Sequence, residues 1–140
     1  MSFKYDLTAN QQTPTSGSKV VLCKSFKIDI AAGSGFLTAT TYDLGWLPKG
    51  AQIISYSVTV ATAVSGGTVS AATTAIAVNS QTIVSALNVY ATAAIIGGAS
   101  AAYMTSGFPA TVDQKITYTP TLTGAGATTG VVYITLFYVV

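Results

Sequence analysis

"LGWLPKGAQIISYSVTVATA", residues 44–63, decides the fold. It holds the only tryptophan, Trp46, then Pro48, Lys49 and Gly50, then an abrupt run of β-formers. Ile54, Tyr56, Val58 and Val60 alternate with Ser55, Ser57 and Thr59, a period of two that predicts a half-buried strand. Pro48 cannot donate to a ladder and Gly50 tolerates a positive φ, so "LPKG" reads as the turn delivering the chain into that strand. Leu44, Trp46 and Leu47 would then cap one end of a sandwich. The functional alternative makes Trp46 an aromatic platform for a sugar ring or a partner chain.

The same period runs outward from this stretch. In "KVVLCKSFKIDI" (19–30), Phe26, Ile28 and Ile30 face one way and Ser25, Lys27 and Asp29 the other. "AAGSG" at 31–35 breaks that strand, and "FLTATTYDLGWL" supplies another with a polar end. After a turn at "SGG" (65–67) come "TVSAATTAIAV" and, past Asn79-Ser80, "TIVSALNVYATA". "KITYTPTLT" places Ile116, Tyr118 and Leu122 opposite Thr117, Thr119, Thr121 and Thr123; "GAGATTG" (124–130) is a loop. The closing "VVYITLFYVV" is apolar on both faces, with Val132, Ile134, Leu136 and Tyr138 against Val131, Tyr133, Phe137 and Val139. As an exposed edge it would aggregate, so it must lie centrally in a sheet or against another subunit.

Seven or eight short strands with Gly-rich turns predict an all-β, antiparallel β-sandwich of jelly-roll-like type. The Ala-rich windows 71–77 and 91–102 suit a helix by propensity, but their Thr, Val, Ile and Gly content argues against one. The soft segment 93–110 admits at most a short helical turn near 94–103. Residues 1–18, polar and carrying Pro14 and Gly17, read as an extended N-terminal arm in which Phe3, Tyr5 and Leu7 alternate with Lys4 and Asp6. Residues 19–140 then form a single sandwich domain.

Composition excludes much chemistry. Charged residues make up 7% of 140, against about 25% in an ordinary soluble domain. There are six Lys and four Asp, and no Arg, Glu or His, for a net charge of +2. Lack of His removes the usual general base and the commonest metal ligand. Lack of Arg removes the bidentate phosphate fork. The lysines, at 4, 19, 24, 27, 49 and 115, are scattered, and only Lys19, Lys24 and Lys27 group loosely. That group reads as a solvated strand edge, and no nucleic-acid surface is expected. No charge occurs from Gly50 to Val112, but polar residues interrupt the run throughout, so no membrane helix is expected. The N-terminus lacks the basic-then-apolar order of a secretory signal, and a soluble chain follows as the expectation.

Candidate sites are few. The lone Cys23 cannot form an internal disulfide; with no His near, it reads as a small buried apolar residue. The only carboxylates are Asp6, Asp29, Asp43 and Asp113. Asp29 and Asp43 could meet across neighbouring strands as a hydrolytic pair, but each also suits a solvated strand end. The glycine clusters match no phosphate loop, and no compact acidic loop suggests calcium. No catalytic residue, cofactor or metal is expected. A surface rich in Thr, Ser and Ala with few ions suits extensive protein contact.

"LGWLPKGAQIISYSVTVATA", Gly/Ala/Thr-rich strands and the closing "GVVYITLFYVV" together resemble small virion proteins of tailed bacteriophages. In those chains an "LP-x-GA" turn leads into a Val/Ser/Thr strand, and Gly130, Val132 and Tyr138 approximate their final strand. The resemblance covers residues 44–63 and 116–140 best. It implies a capsid decoration (cement) or head-associated protein: a β-sandwich on the virion surface, made in the host cytoplasm and commonly a trimer. Its partners would be the major capsid protein or other virion proteins, and its arm would reach neighbouring subunits. Two alternatives stand. One is another head, neck or tail component. The other is a carbohydrate-binding, adhesin-like module using Trp46, Tyr90 and Tyr103 as an exposed aromatic face.

Overall fold

The computed structural model describes residues 20–31, 40–105 and 111–140. The expected arm, with Lys4, Asp6 and Lys19, lies outside the described residues, as do most of the break after the first strand, the start of the second and residues 106–110.

Eight strands and one short helix follow in order: β1 (Leu22–Asp29), β2 (Tyr42–Leu47), β3 (Gln52–Ser65), β4 (Ala71–Val78), β5 (Gln81–Asn88), β6 (Ala93–Gly97), α1 (Ala101–Thr105), β7 (Gln114–Thr123) and β8 (Thr129–Val139). They form two four-stranded sheets, ordered β1-β8-β3-β6 and β2-β7-β4-β5. All pairings are antiparallel, and they nest: β1 with β8, β2 with β7, β3 with β6, β4 with β5. Nested pairing wrapped into two sheets is the jelly-roll-like arrangement that the alternation foreshadowed. The two orders run in step, so β1 and β2 share one lateral edge of the sandwich and β6 and β5 the other.

Each sheet turns one apolar row inward. Val58 and Val60 of β3, Ile76 and Val78 of β4, Ile116 of β7, and Val132, Ile134 and Leu136 of β8 are all essentially solvent-free. The apolar β8 is central, between β1 and β3, which resolves its aggregation hazard within one subunit. Pro120 sits in the central strand β7 without cost to β2, whose pairing stops at Tyr118.

Local chemistry explains the turns. Ala51 N–H donates to the Pro48 carbonyl at 3.1 Å, and Gly50 takes φ 83°, so Pro48–Ala51 closes as a type II turn at the entry to β3. Asn79 and Ser80, both with positive φ, link β4 to β5 through a two-residue hairpin whose twist matches its strands. The loops after β3 and β7 dovetail. Thr68 N–H donates to the Ala125 carbonyl and Thr128 N–H to the Ser65 carbonyl, both at 2.9 Å. A Cβ on Gly124 would collide with the Thr68 carbonyl oxygen, so this close approach needs glycine.

Three expectations are corrected. Ile54 does not face the core: a bulge between Ile53 and Ser55 turns Ile53 inward, fully buried, and leaves Ile54 exposed. The soft segment 93–110 contains a strand, β6, because its Ala93–Gly97 backbone completes the free side of β3. The helix falls later, at Ala101–Thr105, where the Ser100 hydroxyl accepts Tyr103 N–H as a cap. Cys23 is exposed rather than buried, since it shares the outward row of β1 with Ser25 and Lys27.

Candidate functional site

Trp46 ends β2 with its indole half exposed, while the adjoining Leu47 is fully buried. Leu44 packs against the core, so the structure separates the expected cap into two inward leucines and an outward indole. Lys115 Nζ lies 5.8 Å from the indole centroid, and Lys24 Nζ donates to the Trp46 carbonyl. The lysines thereby fasten the indole and its strand to β7 and β1.

The aromatic face required by a sugar-binding reading does not form. Tyr103 is buried at 1% exposure; its hydroxyl accepts Ile53 N–H at 3.3 Å and donates to Gln114 Oε1 at 3.4 Å. Burial raises its phenol above the ordinary tyrosine value. Tyr90 is exposed but follows β5, on the lateral edge opposite that of Trp46.

The carboxylates are likewise dispersed. Asp29 pairs with Lys27 at 3.0 Å, a contact that raises the lysine's pKa. Asp43 pairs with Lys115 at 2.7 Å, and Asp113 accepts Lys49 N–H at 3.1 Å. Asp29 and Asp43, which could have met across neighbouring strands, lie on β1 and β2, strands of different sheets. Among the described residues, no three His, Cys, Asp or Glu side chains gather as a metal site, and no helix is long and apolar enough to cross a membrane.

One cleft of about 570 Å³ opens between β1 and β2, walled by Phe26, Ile28, Tyr42, Leu44 and Tyr118, with Lys27 and Asp43 also lining it. Tyr42 and Tyr118 stack at 5.1 Å between centroids. Burial, then the neighbouring Tyr42, pushes the Tyr118 phenol up to about 12. The chain has no histidine to serve either tyrosine as a base, and the cleft offers apolar packing with a polar rim.

The pattern that sequence order concealed is the distribution of charge. Lys24, Lys27 and Asp29 lie on β1, Asp43 on β2 and Lys115 on β7, with Lys49 and Asp113 in the turns beside them. Strands β3, β4, β5 and β6 carry none. One lateral half of the sandwich is therefore charged and the other neutral. The run free of charge from residue 50 to 112 was legible; its collection onto one edge needed the strand order.

No family model matches the sequence, and no curated protein does. Among solved structures, the chain is similar to one from the capsid of Ralstonia phage GP4, with 20% identity and a TM-score of 0.59, covering 91% of this chain and 89% of that one. It is also similar to a chain from the acidic stable capsid of Helicobacter pylori bacteriophage KHP30, with 14% identity and a TM-score of 0.48, covering 86% and 88%. Only the first is close enough to bear on the fold, and it extends over nearly the whole of both chains.

Proposed function

We propose that this chain is a structural virion protein of a bacteriophage, a decoration (cement) protein that docks on the coat lattice and stabilises the head. The observation that carries the proposal is the end-to-end likeness of fold to a phage capsid chain. Three features support it: the resemblance in residues 44–63 and 116–140, the neutral half of the sandwich, and the dispersal of every described carboxylate into a structural role. Burying hydroxyls and small apolar groups against a coat subunit desolvates few ions, so each contact gains modestly and repetition over the shell multiplies the gain. No reaction is part of this reading. Residues 1–18 would act as an arm onto neighbouring subunits, and the native protein would reside on the virion surface after synthesis in the host cytoplasm.

The test is to add the purified full-length protein to cognate heads stripped of it. Saturable binding with a raised capsid melting temperature is expected, and removal of residues 1–18 should weaken binding while leaving the sandwich folded. Failure to bind those heads overturns the decoration role. The trimer that the resemblance implies is the expected native mass of the purified protein.

A further inference from the structure

We draw no further inference here: the strongest candidate, the apolar cleft between β1 and β2 walled by Phe26, Ile28, Leu44 and the stacked Tyr42 and Tyr118, carries nothing because nothing among the described residues shows what covers it.

Discussion

The Tyr103 hydroxyl donates to Gln114 Oε1 inside the sandwich, where the two side chains are 1% and 2% exposed. The same hydroxyl accepts Ile53 N–H, and Gln114 Nε2 donates to the Ala51 carbonyl at 2.7 Å. This network ties α1 and the start of β7 to the start of β3. Tyr103→Phe should cost about 1–2 kcal/mol, since the Ile53 amide and Gln114 lose a partner without gaining water. Gln114→Ala should cost more, and the double variant should cost less than the sum, as coupled neighbours do. Urea unfolding of the four proteins measures this, and additive effects would show that the network does not act as a unit.

The bulge at Ile53–Ser55 yields a test with a large contrast between adjacent residues. Ile53→Ala removes a fully buried side chain and should destabilise by about 2–5 kcal/mol. Ile54→Ala, at an exposed position, should cost well under half as much. Equal losses at both positions would mean that β3 runs without the bulge.

This contrast shows where the sequence was readable. Alternation placed Phe26, Ile28, Ile116 and Tyr118 on the faces they occupy, because β1 and β7 run without a bulge where those residues lie; in β8, apolar on both faces, only the structure selects Val132, Ile134 and Leu136 as the inward row. It failed at Ile54 because two adjacent isoleucines leave the phase undetermined, and only pairing with Tyr138 and Phe137 selects Ile53. The β6 strand was hidden because "AAIIG" has little periodicity of its own and gains its structure from β3. Tyr103 looked like a surface aromatic for a similar reason: its partners, Ile53 and Gln114, are distant in sequence. The neutral edge is a property of strand order, which no local pattern encodes.

Alkaline pH should unfold the protein through Tyr118. Below pH 10, tyrosine is neutral in both folded and unfolded chains, and its contribution to stability is fully present. Between pH 10 and about 12 the unfolded chain releases a proton that the folded chain still holds, so stability falls across that window. Tyr103, also raised by burial, adds to the fall. Urea midpoints measured from neutral to strongly alkaline pH should decline above pH 10, and the decline should be shallower in Tyr118→Phe. A midpoint independent of pH throughout that range would contradict the burial of this phenol.

Thr74 offers the opposite kind of variant, one that should stabilise. It lies on β4 at 1% exposure, and its hydroxyl has no hydrogen-bond partner among the described residues. Its counterpart across the ladder is Pro120, which carries no N–H to offer. A hydroxyl moved from water to such a position loses hydration without replacement, at a cost of about 1–3 kcal/mol. Threonine nevertheless suits the strand because its β-branched shape fills the inward row between Ala72 and Ile76. Valine keeps that shape and removes the polar atom. Thr74→Val should therefore raise stability by about 1 kcal/mol, seen as a higher urea midpoint with an unchanged m-value. A loss of stability in that variant would show that the hydroxyl is satisfied in the native protein.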